Sequence, residues 1–252
     1  MACLARFASF GLASLLALGF VGCAFEEEEE ESDGQTLAVR GGSTANAFPE
    51  AVLIDYANGS GCSGSMIAPR VVLTAGHCAV ALTGPFQVYA PFANGQRASG
   101  TRAAVYDYPA NNPPSVPRRV HDVGLLFLDT PIELGSYPKL GTWKLDDKDK
   151  VVIVGRVQNG NYSSNALYRE TVKVKDGETL GYRFSYNAEN VIQSGDSGGP
   201  DFLPGTHTVV AVNSAGGGVI ARVDLLTNWI QNQVAPYGGF GKGGGLAKKK
   251  RR

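Results

Sequence analysis

The sequence predicts an all-β protein, built of short antiparallel strands closed into a barrel or stacked as a sandwich and finished by one helix. Three observations carry that expectation. Glycine (33) and proline (13) are frequent in the 252 residues, β-prone runs recur between the turns they make, and no long amphipathic helical stretch occurs before the C-terminal part. With 43% hydrophobic and 18% charged residues, the chain can bury a real core, as one large β domain or two small ones.

The runs are AVLIDY at 51–56, VVLTA at 71–75, FQVYA at 86–90, VGLLFL at 123–128, VVIVGRV at 151–157, TVKVK at 171–175, TVVAVN at 208–213 and GVIARV at 218–223. β-branched and aromatic side chains suit a pleated, half-buried surface, and turn residues separate one run from the next. The closing helix is expected over 224–235, with Asp224 as N-cap and Leu225, Leu226, Trp229, Ile230 and Val234 near one face.

Both ends fall outside this body. Residues 7–22, FASFGLASLLALGFVG, are apolar, follow Arg6 and run into six glutamates at 26–31 that could not stay in a membrane, so residues 1–23 read as an export signal. Two exits from it stay open. Phe20-Val21-Gly22-Cys23 resembles a lipobox, whose processing would acylate Cys23 and tether the chain to a membrane, whereas a cut after Ala24 would release it. Residues 24–38 hold too little apolar surface to offset chain entropy and are expected to form a disordered tether or propeptide. Residues 236–252, ending GGFGKGGGLAKKKRR, are expected to be a mobile, solvated tail.

The formal charge of zero hides these acidic and basic ends; residues 34–241 hold 16 Lys and Arg against 16 Asp and Glu, which does not suggest a nucleic-acid surface. Cys3 falls in the export signal and Cys23 is either acylated or lost, leaving Cys62 and Cys78. Two cysteines in an exported domain point to one disulfide, and their spacing falls short of a zinc site.

Three segments carry candidate chemistry. In Gly195-Asp196-Ser197-Gly198-Gly199-Pro200, glycines surround a serine, giving the tight turn and free backbone N–H groups that a hydroxyl nucleophile needs; glycine and serine also make plain turns, so the segment alone does not decide. Thr74-Ala75-Gly76-His77-Cys78 follows a hydrophobic strand and sets one of only three histidines beside a cysteine, where a disulfide to Cys62 would pin a general base. His121-Asp122-Val123-Gly124-Leu125-Leu126-Phe127-Leu128 places a carboxylate at the mouth of an apolar run, which is costly unless the charge is paired, and an imidazole N–H is a suitable partner. His121 and His207 read as surface or packing residues.

Together, CSGSMIAPRVVLTAGHC at 62–78, HDVGLLFL at 121–128 and GDSGGP at 195–200 resemble the three catalytic signatures of the chymotrypsin/trypsin family, in the family's order His, Asp, Ser. The likeness covers roughly residues 39–235. It implies two packed six-stranded antiparallel β-barrels with a C-terminal helix: an N-terminal barrel over about 39–140, a second over about 141–223, and the helix at 224–235. It also implies that His77, Asp122 and Ser197 are the catalytic triad of a serine endopeptidase working through an acyl-enzyme, with Gly195 and Ser197 N–H groups binding the oxyanion. Val39 matches the family's mature N-terminus, and Asp196 matches the aspartate that pairs with its new α-amino group, so activation is expected to be proteolytic.

The sequence also departs from the family. Val191 stands where trypsin-like enzymes carry the acid at the base of the primary specificity pocket, and Ala215 replaces the aromatic residue of Ser214-Ala215-Gly216. The loop through Gly218 is very short, and no cysteines remain to brace it. An uncharged pocket preferring apolar P1 residues is expected. Partners implied are protein or peptide substrates and protein inhibitors, with the chain acting as a monomer outside the cytoplasm or on the cell envelope; neither cofactor nor metal is called for. Two other readings share the motifs: a lipid-tethered binding or adhesion homologue without turnover, and an esterase using the same triad.

Overall fold

The structure, a computed structural model, describes residues 42–82 and 84–249, which belong to one compact unit spanning Thr36–Arg252. Residues 1–23, expected to be an export signal, the acidic segment and Val39 lie outside the described residues. Among those described, no helix is long and apolar enough to cross a membrane.

After a two-residue strand β1 (Ser43–Thr44), the first sheet is built from β2 (Ala51–Tyr56), β3 (Gly61–Ala68), β4 (Val71–Thr74), β5 (Phe86–Ala90), β6 (Gln96–Gly100), β7 (Arg102–Val105) and β8 (Gly124–Phe127). They lie side by side in the order β6-β5-β2-β3-β4-β8-β7, every pair antiparallel. The two ends of that order are halves of one bent segment hinged at Thr101, so the sheet curls back on itself; Asp129 N–H donates to Ser99 O at 2.8 Å across the seam. Gly100 permits the bend, because a Cβ there would lie 2.2 Å from Phe127 O. Val52, Ile54, Met66, Val88 and Leu126 fill the interior. The alternate residues Ala51 and Leu53 are equally buried on the outer side, which explains why AVLIDY reads as a continuous apolar run.

The second sheet comprises β9 (Lys139–Gly141), β10 (Lys150–Gly155), β13 (Tyr168–Asp176), β14 (Ser185–Ala188), β15 (Pro200–Phe202), β16 (Thr208–Ala215), β17 (Val219–Arg222) and β18 (Gly245–Ala247), with a small hairpin of β11 (Val157–Gln158) and β12 (Asn161–Tyr162) between β10 and β13. Six strands close on themselves in the order β15-β10-β13-β14-β17-β16, since β15 pairs both β10 and β16. Val151, Ile153, Val172, Val174 and Ile220 pack together as its core. A third cluster, including Leu53, Leu73, Phe202, Val209, Ile230 and Val234, joins the two barrels to the closing helix. The architecture is that of two packed β-barrels, as the family resemblance implied.

Two elements differ from expectation. The closing segment is not one capped helix over 224–235: a 3₁₀ turn (Asp224–Leu226) precedes α2 (Thr227–Val234), and a second 3₁₀ turn (Ala235–Tyr237) follows. Asp224 does not cap it, because its carboxylate receives Arg222 Nε and Nη2 at 3.0 and 2.7 Å. The glycine-rich tail is not a free coil over its described length. Gly241 N–H donates to Ile67 O, Tyr137 N–H to Lys242 O, and β18 lies parallel to β9, with Thr142 N–H on Ala247 O. Its glycines make this strap possible, since a Cβ on Gly241 would sit 2.1 Å from the Tyr137 ring.

Candidate active site

The site is assembled where β3, the turn after β4, the start of β8 and the loop before β15 meet. His77 sits on the short α1 (Gly76–Val80) directly after β4, and Asp122 two residues before β8. Because β4 and β8 are hydrogen-bonded neighbours, Thr74 opposite Gly124, histidine and aspartate are delivered to the same end of the first barrel. Asp122 is 1% exposed and fully engaged: Oδ1 accepts His77 N–H at 2.8 Å, and Oδ2 accepts His77 Nδ1 at 2.8 Å and the Ser214 hydroxyl at 2.7 Å. A carboxylate only accepts, so Nδ1 donates to Asp122, and in the neutral imidazole Nε2 is then the acceptor.

Cys62 and Cys78 form the expected disulfide, tying β3 to α1. Cys62 Sγ, Cys78 Sγ and His77 lie within 4.8 Å of one another, but sulfurs spent on a disulfide are not metal donors.

The serine loop comes from the second barrel and is fastened to the first by β3. Ser63 N–H donates to Ser197 O at 2.8 Å, and the Ser63 hydroxyl donates to Gly195 O at 3.0 Å. Asp196 N–H on Gln193 O and Gly199 N–H on Asp196 O close two successive turns, and Asn213 Nδ2 bonds Asp196 O and Val154 O from beneath. Gly198 adopts φ +79° and runs so close to β4 that a Cβ would lie 2.0 Å from Thr74 Oγ1. Among the described residues, the Gly195 and Ser197 N–H groups have no acceptor, and the Ser197 hydroxyl makes no hydrogen bond to His77. Cys78 Sγ lies 3.6 Å from both His77 Nε2 and Ser197 O, so histidine and serine loop flank the same disulfide sulfur.

Asp196 is fully buried. Its Oδ1 accepts Val157 N–H and its Oδ2 accepts Gln193 N–H, both at 2.9 Å. Burial pushes this carboxyl up to about 6, against the pull of the surrounding amides and of the Arg156 charge. Val39, its expected partner, is outside the described residues.

At the expected specificity pocket, Val191 and Ile192 are buried in the core beside Tyr186, Ala188 and Ile220, with the Arg222 guanidinium 5.4 Å from the Tyr186 ring. The short loop is pinned by Asn187 Nδ2 on Gly217 O and Gly217 N–H on Asn190 Oδ1. Gly218 rests against the opposite wall, where a Cβ would come 2.3 Å from Ala188 O. A cleft of about 490 Å³ extends from His77 along Ala215 and Gly216, walled by Tyr108, Pro114 and Tyr182. Ser214, expected as a substrate-binding residue, spends its hydroxyl on Asp122. His121 and His207 have their own carboxylates: His121 Nδ1 on Asp107 at 2.9 Å, with its ring stacked on Phe184, and His207 Nδ1 on buried Glu50 at 2.6 Å.

Sequence reasoning missed Ser63, Thr74, Asn213 and Arg156. Only Arg156 left a readable trace, a charge inside the apolar run VVIVGRV.

The two sheets bring a hydrogen-bonded histidine–aspartate pair and a serine loop to the same disulfide. The Trypsin family model matches residues 39–230, and the chain belongs to that family of serine proteases. Serine protease SP24D of Anopheles gambiae is 30% identical over 233 residues, 81% of this chain and 83% of that protein. Among solved structures, a scabies mite inactivated protease paralogue superposes with a TM-score of 0.64 at 17% identity, covering 77% of this chain and 96% of that one. Neuropsin, a serine protease expressed in the limbic system of mouse brain, gives 0.63 at 20% identity, covering 77% and 99%. At these identities the superpositions speak to the fold.

Proposed function

We propose that the protein is an exported endopeptidase that hydrolyses peptide bonds through an acyl-enzyme on Ser197. One observation supports this above the others. Buried Asp122 holds His77 through its N–H and Nδ1, with the serine loop across the same disulfide sulfur, while among the described residues the Gly195 and Ser197 N–H groups have no acceptor. In the family's scheme, carried over by its motifs, Ser197 Oγ attacks the scissile carbonyl as its proton passes to His77 Nε2. The two N–H groups hold the oxyanion, and His77 returns the proton to the departing amine. Water then repeats the sequence on the acyl-enzyme, and Asp122 stays ionised to stabilise the imidazolium. Catalytic hydrogen bonds are often long in an empty site and tighten when substrate binds, and the Ser197–His77 pair is read in that way.

Buried Val191, at the position where trypsin-like enzymes carry an acid, supports an uncharged pocket that favours apolar P1 residues, since the acid that would pair with a lysine or arginine is replaced. Cleavage before Val39 would create an ammonium group for buried Asp196, making the intact chain a zymogen. Export follows from the N-terminal signal, with Cys23 as the point of lipid attachment if processing occurs there. Digestion of a random peptide library should give cleavage after uncharged apolar residues, abolished by Ser197→Ala. Cleavage chiefly after lysine or arginine, or none by the processed protein, would overturn the reading.

A further inference from the structure

Four lysines gather on the exposed face of the second barrel. Along β13, Val172 and Val174 turn into the core, and Lys173 and Lys175 alternate with them on the solvent side. Lys150, at the start of β10, stands directly opposite Lys173 in the ladder. Lys148 is drawn to the same strand, its N–H donating to Val174 O at 2.8 Å. Lys148, Lys173 and Lys175 line one hollow of about 340 Å³ together with Asn187 and Glu189. Like charges directly opposite each other across a ladder are destabilising, so the fold carries the Lys150–Lys173 pairing at a cost.

The acids nearby are spent elsewhere. Asp146 receives Lys249 Nζ at 2.8 Å, and Asp176 receives Lys144 Nζ and the Glu178 N–H. Asp147 accepts the Asp176 N–H and Asp149 the Asp146 N–H, both at 2.9 Å. Among the described residues, none of Lys148, Lys150, Lys173 and Lys175 forms an ion pair. Glu189 sets a single carboxylate in the hollow against them. The basic tail thus has a local effect, since Lys249 occupies an acid two residues from Lys148. The hollow also adjoins the cleft beside His77, whose wall includes Ala215 and Gly216. Asn187, which lines the hollow, holds the next residue of that wall by donating from Nδ2 to Gly217 O at 3.0 Å.

Resting on the endopeptidase reading, we infer that this lysine cluster is a second substrate-binding surface, which takes a carboxylate-rich segment of a protein substrate outside the residues being cleaved. Lys173 and Lys175 lie two residues apart on a strand, about 6.6 Å, and alternate side chains of an extended acidic peptide recur at the same interval. Ammonium groups bind as point charges without the planar fork of arginine, so a row of separate carboxylates suits them. Charges at such a rim act on encounter and on KM, and leave the chemical step alone.

The test compares peptides that share one cleavable sequence and are extended, at either end, by six glutamates or by six glutamines. With processed wild-type protein at low salt, the glutamate extension at one end should lower KM by about tenfold relative to glutamine and leave kcat unchanged. Exposed ion pairs are individually weak, so the effect needs several lysines acting together and should vanish at high salt. Replacing the cluster by Lys148→Gln, Lys150→Gln, Lys173→Gln and Lys175→Gln should erase the difference between the two peptides. The pair Lys150→Gln and Lys173→Gln alone should erase part of it without lowering Tm, because it relieves a like-charge contact.

Equal KM for the glutamate and glutamine peptides at both ends would overturn the inference, and so would a glutamate advantage that survives loss of the four lysines. A cluster that binds a sulfated polysaccharide while the two peptides stay equal serves another class of partner, which also overturns it. Fluorescence anisotropy of a labelled hexaglutamate peptide with the full chain reads the surface without turnover. If the protein cleaves no peptide at all, the endopeptidase reading fails; hexaglutamate binding that disappears with the four lysines would then still support the carboxylate site, and no binding would remove it.

Discussion

Asp201→Val should make the protein more stable, and increasingly so as pH rises. Asp201 lies on β15 between Ile153 and Ala211, fully buried, and among the described residues both its carboxylate oxygens lack hydrogen-bond partners. Leaving a buried polar group unpaired costs about 1–3 kcal/mol, and valine is close enough in volume to add little strain. For a domain of this size each kcal/mol moves Tm by roughly 2–4 °C, so the gain at neutral pH should be about 2–12 °C. Burial pushes the folded carboxyl well above its ordinary range. Above about pH 4 the unfolded chain has released this proton while the folded chain keeps it, so wild-type stability falls as pH climbs through that window. The advantage of valine should therefore be smallest near pH 3.5 and widen toward pH 7. Thermal melts at several pH values, in a Ser197→Ala background to prevent autolysis, would measure it. A lower Tm, or a gain that does not change with pH, would refute the reasoning.

Asp122→Asn should lower kcat by about 10⁴, the loss that substitution causes in the best-studied triad, with the melting temperature measured alongside to separate chemistry from folding. Ser214→Ala, which removes one of three donors to that carboxylate, should lower kcat far less and leave KM nearly unchanged in the same steady-state assay. Replacing Cys62 and Cys78 together by alanine opens a loop of sequence separation 16 and should cost about 3 kcal/mol, read from urea denaturation. Deleting residues 238–252 uncovers β9 and removes the strap to Ile67 and Tyr137, so Tm should drop; an unchanged Tm would mean the strap adds nothing to stability.

The strands legible in the sequence are continuous apolar runs or alternations of buried and exposed residues: AVLIDY, buried along almost all its length, coincides with β2, and FQVYA, which alternates, with β5. The strand that matters most for the site, β3, was not legible, because GCSGSMIA is mostly small residues that carry no β signal. Small residues are what its position demands, since a Cβ on Gly61 would lie 2.5 Å from Arg156 Nη1 and one on Gly64 2.6 Å from Val72. The bent β6–β7 segment and β18 were hidden likewise by polar and glycine-rich composition, their burial being set by neighbours far away in sequence. Within the site, the His77, Asp122 and Ser197 motifs announced themselves through turn chemistry and a charge at a strand mouth. Ser63 and Asn213 did not, because a serine or asparagine in a strand looks the same whether or not it will hold a catalytic loop.

The central claim is that His77 activates Ser197. Reaction with a serine-directed phosphonate, followed by peptide mapping, tests it most directly. The processed wild-type protein should carry one adduct, on Ser197, and His77→Ala should react slower by a factor on the order of 10³ or more. An adduct elsewhere, or equal rates for wild type and His77→Ala, would contradict it.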